Sequence, residues 1–294
     1  MHIDIHTRFI TLLGDPLAQS FAARMQNRGY EAAGLNLVYF YTVTGNGHLG
    51  EIIQGLRHMP FAGFAVTKPN KVKVMEYLDE LDPLCAKMGS SNTVVKLPDG
   101  RLKGYNTDGV GFYRALEEAG VPVSGKTFFC FGSGGAGRAI CSALAYHGAG
   151  RILITDLVEK SAESLVADIN KNFAPVAEFV AYGDFSRVKE ANAVINASGV
   201  GMGKTAGRTP LPPEYIRPGQ FYFDACYNPA RTRFLENAEK AGCPVLTGLT
   251  MSLYQGTAQV ELWSGQQAPV EAMRQELEKI LEEKSSRNKI PAPK

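Results

Sequence analysis

The stretch Gly132-Ser133-Gly134-Gly135-Ala136-Gly137 constrains this chain more than any other. It follows Thr127-Phe128-Phe129-Cys130-Phe131, an apolar and aromatic run that reads as a buried strand, and it opens a helical stretch from Gly135 to His147. In a G-x-G-x-x-G turn placed this way the first glycine turns the chain and the second lets a pyrophosphate approach the backbone. The third lets helix and strand pack closely, with the phosphate at the positive helix N-terminus. Gly132, Ser133, Gly134, Gly135, Ala136 and Gly137 are therefore candidate cofactor-binding residues. The next strand, Arg151-Ile152-Leu153-Ile154-Thr155, ends in Asp156, roughly 20 residues beyond the last glycine. A carboxylate there accepts hydrogen bonds from an adenine-ribose 2′-hydroxyl and repels a 2′-phosphate. No Lys or Arg stands at Asp156, Leu157 or Val158. The pattern predicts NAD over NADP, with Asp156 and Leu157 joining the cofactor set. The alternative is a glycine-rich turn followed by a surface Asp that caps the next helix.

Strands and helices alternate along the rest of the chain. Phe9–Leu13, Leu37–Val43 and Gly63–Val66 read as strands, with helices over Gln19–Ala33 and near His48–Arg57. Asn92–Lys96 and Arg101–Lys103 flank Pro98-Asp99-Gly100, a hairpin signal. Further strands are expected at Ala193–Asn196 and Phe221–Asp224, and helices at Leu249–Gly265 and Val270–Lys284, before an irregular Ser285–Lys294 tail. Apolar runs joined by helices indicate parallel sheet covered on both faces. With 294 residues, two domains are the default. The expected fold class is α/β. An N-terminal α/β substrate domain spans residues 1–108 and takes back 249–294, and a Rossmann-type doubly wound nucleotide-binding domain spans 109–248. The substrate cleft is expected between them.

Charge narrows the partners. The net charge is +2 with Lys and Arg scattered, so neither nucleic acid nor an anionic membrane is expected. The start lacks a basic segment followed by an apolar run, and no apolar stretch approaches the ~20 residues that span a bilayer. Five cysteines without a CxxC pair suit a reducing, cytoplasmic setting and no metal. The five histidines show no ligand spacing. Either a monomer or a homodimer fits.

The segments outside the glycine turn carry a resemblance. Gly14-Asp15-Pro16-Leu17-Ala18-Gln19-Ser20, then Gly34-Leu35-Asn36 and Tyr39, resemble the opening of shikimate dehydrogenases. Val66-Thr67-Lys68-Pro69-Asn70-Lys71 is similar to the family's VTxPxK segment. Ser91-Asn92-Thr93-Val94 resembles its NTV element, and Gly104-Tyr105-Asn106-Thr107-Asp108 its GxNTD element. Asn196-Ala197-Ser198-Gly199-Val200-Gly201-Met202 resembles the loop over the nicotinamide, and Asp224-Ala225-Cys226-Tyr227-Asn228-Pro229 resembles DxxYxP. Gly248-Leu249-Thr250-Met251, Gln255-Gly256 and Trp263-Ser264-Gly265 complete an ordered match from about Leu13 to Gly265.

The shikimate/quinate dehydrogenase resemblance implies hydride transfer at a ring hydroxyl of shikimate, quinate or a related hydroxylated ring carboxylate. It implies Lys71 and Asp108 as the catalytic pair. It places Ser20 and Thr67 near the substrate carboxylate, Asn92, Asp108 and Gln255 on the ring hydroxyls, and Tyr227 at the pocket's closing side. Ala197, Ser198, Val200, Met202, Gly248 and Met251 would line the cofactor. A neighbouring carboxylate favours a lysine's ammonium form, so orientation of the substrate oxygen with a water relay competes with direct proton abstraction by Lys71. Each residue has a plainer reading: a solvated lysine at a helix start, an Asp108 helix N-cap, loop caps at Asn92 and Thr67, core packing for Tyr227 and Met251, and a surface polar face for Gln255. The chain also departs from the family. Where the family reads HSxSP this chain has Gln19-Ser20-Phe21-Ala22-Ala23, so Ala22 replaces a carboxylate-binding serine, and Ala65 replaces an Asn. A lost hydrogen bond to a charged group is worth about 1.5–3 kcal/mol, roughly 10–100-fold in affinity. Poor saturation by shikimate follows. A metabolite or NAD sensor without turnover, or a reductase of a different small carbonyl, are the other classes this pattern admits.

Overall fold

The computed structural model describes residues 3–18 and 20–287. In chain order its elements are β1 (Arg8–Gly14), α1 (Ala22–Ala32), β2 (Leu37–Val43), α2 (Leu49–Arg57), β3 (Phe61–Val66), β4 (Glu80–Leu81), α3 (Pro83–Met88), β5 (Thr93–Lys96), β6 (Leu102–Tyr105) and α4 (Thr107–Glu118). They continue as β7 (Thr127–Phe131), α5 (Gly135–Tyr146), β8 (Arg151–Thr155), α6 (Glu159–Asn172), β9 (Ala177–Phe179), β10 (Ala193–Asn196), β11 (Phe221–Asp224), α7 (Arg233–Lys240), β12 (Val245–Thr247), α8 (Gly248–Ser264) and α9 (Val270–Arg287). Two compact units result: Met1–Thr107 with Leu253–Lys294, and Asp108–Ser252.

The second unit holds a wholly parallel sheet in the order β12-β11-β10-β7-β8-β9. Numbered within the unit and read from the β9 edge this is 3-2-1-4-5-6, the doubly wound order whose direction reverses between β7 and β10. The strands are apolar throughout because both faces are covered. Phe128, Cys130, Ile152, Ile154 and Ile195 belong to one buried cluster, while Phe129, Phe131, Leu153 and Val194 belong to another. Alternate residues therefore feed opposite cores. Each such side chain contributes roughly 1.5–3 kcal/mol by leaving water. The loops after β7 and β10 leave the sheet side by side at the reversal, where ligands of such sheets bind.

The first unit carries a mixed sheet, β2-β1-β3-β5-β6-β4. β2, β1 and β3 run parallel, and β5 and β6 form the antiparallel hairpin closed at Lys96↔Leu102 with Gly100 at φ +85°. A buried polar thread ties helices to this sheet. Gln26 of α1 donates to Gln259 of α8 at 3.0 Å, and Gln259 donates to Thr93 Oγ1 of β5 at 2.9 Å. Arg24 of α1 is paired with Glu276 and Glu283 of α9, each at 2.6 Å.

Three expectations change. α1 starts at Ala22 and not at Gln19, which lies outside the described residues. α4 starts at Thr107, so Asp108 sits in its first turn and does not cap it from outside. α9 runs to Arg287, so Ser285–Arg287 are helical, and the remaining tail, like His2, lies outside the described residues.

Candidate functional site

The glycine turn is built by steric necessity at two glycines and left open at the others. Gly132 has φ +100°, and a Cβ there would sit 2.5 Å from the Ser198 amide. A Cβ on Gly137 would lie 2.0 Å from the Gly132 carbonyl oxygen, so α5 can approach β7 only without one. Gly134 has ordinary backbone angles, φ −69° and ψ −167°, and nothing of the protein lies within 4 Å of where its Cβ would be. A Cβ on Gly135 would likewise meet nothing within 4 Å, and Ala136 follows half-buried in α5. No internal packing accounts for glycine at 134, and a closely approaching pyrophosphate does. The donor set therefore fits a dinucleotide.

Asp156 closes this turn from the next strand. Its Oδ2 accepts from the Ser133 amide at 2.7 Å and the Ser133 hydroxyl at 2.8 Å, and its Oδ1 accepts from the Val158 amide at 2.9 Å. The Ser133 hydroxyl is also within 2.9 Å of Ser161 Oγ in α6. A carboxylate has about four acceptor sites, so three are used and about one remains for a ribose hydroxyl. Leu157 (68% exposed) and Val158 (63%) present apolar surface beside it. Asp156 thus braces the turn rather than capping α6, whose N-cap Val158 has no side-chain cap bond, and it keeps room for a sugar hydroxyl.

The loop after β10 is held by a buried network that includes residues not singled out from the sequence. Asn196 Nδ2 donates to Asp224 Oδ1 at 3.0 Å and to the Val200 carbonyl at 2.8 Å. Ser198 Oγ donates to Asn196 Oδ1 at 2.6 Å, and the Val200 amide donates to Ser198 Oγ at 3.2 Å. Asp224 also accepts from the Cys226 amide at 2.9 Å and from Thr232 Oγ1 at 2.5 Å. Burial raises the Asp224 pKa, against the pull of its hydrogen-bond donors. The network joins the Ala197–Met202 loop to the segment that carries Tyr227. Ala197, Val200, Met202 and Tyr227 are half-buried and Ser198 is exposed. The identities Asn196, Asp224 and Thr232 were visible as sequence, but only the contacts reveal their joint role.

Within the first unit, bonds at the C-terminal side of β1 and β3 gather residues that are far apart in sequence. The Lys71 carbonyl accepts from the Ser91 amide at 2.8 Å. The neighbouring Asn92 accepts through Oδ1 from the Thr107 amide at 2.8 Å and the Thr107 hydroxyl at 3.2 Å, and its own carbonyl takes the Val66 amide at 2.8 Å. Thr67 donates its amide to Leu13 at 2.9 Å, and its hydroxyl has no partner among the described residues. Lys71, Thr67, Asn92 and Thr107 therefore share one locality, with Asp108 next in the chain and buried. Asn92 does act as a cap, through its oxygen.

The other candidates sit on other elements. Ser20 precedes α1 and accepts from the Ala22 amide at 3.3 Å. Gln255 is half-buried on α8, and its side chain has no partner among the described residues. Met251 is 8% exposed and belongs to the core cluster of the second unit, together with Phe223 and Ile195. A Cβ on Gly248 would meet the Ala225 carbonyl oxygen at 2.4 Å, so close packing suffices to require that glycine. The five cysteines are free and buried, and burial pushes the Cys85 thiol up to about 12. Among the described residues no helix is long and apolar enough to cross a membrane.

A glycine turn braced by an acidic strand end on a 3-2-1-4-5-6 sheet, joined to a second α/β unit, defines a dinucleotide-fold protein of the two-unit dehydrogenase class. Residues 12–94 match the shikimate dehydrogenase substrate binding domain, and residues 248–278 match the shikimate 5′-dehydrogenase C-terminal domain. The chain is 40% identical to an NADP(+) shikimate dehydrogenase of Moorella thermoacetica, over 93% of each chain. A crystal structure of shikimate 5-dehydrogenase from Listeria monocytogenes in complex with shikimate and NAD superposes with a TM-score of 0.90 at 36% identity, covering 94% of this chain and 98% of that one. A quinate dehydrogenase from Corynebacterium glutamicum in complex with NAD gives 0.88 at 28%, covering 93% and 99%. This chain belongs to the shikimate dehydrogenase family.

Proposed function

We propose that this protein is an NAD-dependent oxidoreductase that interconverts a ring hydroxyl and a ring ketone on shikimate, quinate or a related hydroxylated ring carboxylate. The observation that carries the reading is that the Ser91–Lys71 and Thr107–Asn92 bonds bring consecutive residues 91 and 92 against Lys71 and Thr107, with Asp108 next in the chain, inside a chain of this family. Unit two would hold the cofactor through Gly132–Gly137, Asp156, Leu157 and the Ala197–Met202 loop. A bound nicotinamide supplies or accepts the hydride. Lys71 and Asp108 would orient the reacting ring oxygen and exchange its proton. Asn92 and Gln255 would fix the other hydroxyls, Ser20 and Thr67 the carboxylate end, and Tyr227 the closing side. The substrate unit would comprise residues 1–108 and 249–294, acting as a monomer or homodimer in the cytoplasm.

The NAD preference rests on Asp156 and on the absence of a cation at Leu157 and Val158. Such a preference would set this chain apart from the relatives named for NADP(+). The test is absorbance at 340 nm with NAD and with NADP across a panel of shikimate, quinate, amino-substituted analogues and unrelated small carbonyls. NAD-linked turnover of a ring acid is expected, with shikimate saturating poorly because Ala22 and Ala65 remove two polar groups. A low-micromolar KM for shikimate defeats the last point. Binding without turnover on every compound defeats the enzyme reading.

A further inference from the structure

The serine hydroxyl expected at position 22 is absent, yet the turn it would occupy is held by a phenol from elsewhere. Tyr41 of β2 donates its O–H to the Ser20 carbonyl at 3.1 Å and accepts the Ala23 amide at 3.0 Å. One oxygen therefore spans both ends of the Ser20–Ala23 turn. The residue preceding α1, Phe21, makes no side-chain cap bond. Within the turn the Ala22 amide donates to Ser20 Oγ at 3.3 Å. That bond uses Ser20 Oγ as an acceptor, and no acceptor for its proton is found among the described residues. The Ser20 hydroxyl is thus left as a donor, the polarity a carboxylate needs. Tyr41 is 37% exposed, so its ring is not held in place by the core alone.

We propose that Tyr41 is a positioning residue of the substrate-carboxylate end: it fixes the Ser20–Ala23 turn so that the Ser20 hydroxyl points as a donor at a ring acid. This rests on the placing of Ser20 near the carboxylate in the function proposed above. Specificity for an acid over its neutral counterpart then depends on a residue one strand away from the turn.

The test is a double-mutant cycle of Tyr41→Phe and Ser20→Ala in the full-length protein. It is read as kcat/KM for the ring acid that the unmodified chain turns over and for that acid's methyl ester. Tyr41→Phe should lower kcat/KM for the acid roughly tenfold through KM, the scale of one or two neutral hydrogen bonds, with the KM for NAD unchanged. The ester should change less than twofold. In the Ser20→Ala background Tyr41→Phe should have no further effect on the acid. Additive losses, or equal losses for acid and ester, overturn the proposal. So does a Tyr41→Phe chain that fails to fold, because the hydroxyl would then serve stability first. No turnover of any ring acid by the unmodified chain overturns the functional reading and this proposal with it. Turnover with additive losses overturns this proposal alone.

Discussion

Asp156 at the end of β8 grips Ser133 in the glycine turn through both amide and hydroxyl, at 2.7 and 2.8 Å. The acidic residue proposed to read the ribose is thus also part of what shapes the phosphate cradle. Replacing it with Ala removes a ribose acceptor and two braces together. The KM for NAD should rise about 10–100-fold, and the NAD/NADP ratio of kcat/KM should narrow because repulsion of a 2′-phosphate is lost. Steady-state kinetics with both cofactors check this. Equal kinetics with both cofactors in the unmodified protein reject the assignment.

Two glycines of the turn should separate stability from binding. Gly137→Ala drives a methyl into the Gly132 carbonyl, and no flexible side chain can yield there. It should destabilise the fold by roughly 2 kcal/mol or more, visible as a lower Tm without cofactor. Gly134→Ala meets nothing of the protein. Its Tm without cofactor should stay within a degree or two, while the KM for NAD rises at least tenfold. A Gly134→Ala protein with normal NAD kinetics removes the pyrophosphate from that space.

Glu178 gives a pH signature at the edge of the same unit. Hydrogen bonds from Arg151 and Arg187, both at 2.9 Å, hold its carboxyl down to about 2. A depressed folded-state pKa adds stability at pH values above the unfolded value, near 4.5, and this stability drains away as pH falls toward 2. The Tm difference between the unmodified chain and Glu178→Gln should be constant above pH 5 and shrink through that window. The carboxylate is 42% exposed, so the difference is modest and weakens with salt. A difference independent of pH between 5 and 2 contradicts this account.

The sequence made the second unit legible because its strands are apolar on both faces and its glycine turn has one structural meaning. Thr127–Phe131 and Arg151–Thr155 were readable to the residue. Shorter elements escaped. β4 has two residues and β9 and β12 three each, too few for a period to show. α3 did carry a local signal: Asp82 accepts from the Leu84 amide at 3.0 Å, with Pro83 at the first helical position. The site was legible where motifs are local, as at Gly132–Gly137. Where it depends on contacts across the fold, as with Tyr41 and Ser20 or Asp224 and Asn196, no spacing in the chain announces it.

Asp224 serves donors from Asn196, Cys226 and Thr232. Asn at this position turns one acceptor oxygen into a donor, facing either Thr232 Oγ1 or the Asn196 and Cys226 N–H groups. A buried donor left unsatisfied costs about 1–3 kcal/mol, and Tm should fall accordingly. Because the network joins the Ala197–Met202 loop to the Tyr227 segment, the KM values for NAD and for the ring acid should rise together, with kcat less affected. A change in Tm alone reduces Asp224 to a stability element.

Lys71 offers the sharpest separation of chemistry from binding. Its backbone is pinned to Ser91, so replacing its side chain leaves the bond that organises the locality intact. Asn92 and Thr107 keep their own bonds as well. Lys71→Ala should therefore preserve the fold and the KM for NAD within about twofold. Loss of a group proposed to orient and protonate the ring oxygen should lower kcat by about 10²–10⁴. Asp108→Asn should lower kcat in the same direction, since it keeps the shape of the first turn of α4 while removing the charge. Stopped-flow hydride transfer with NADH and the keto acid reads the chemical step directly. Near-normal transfer in Lys71→Ala takes the lysine out of the mechanism, whatever motif surrounds it.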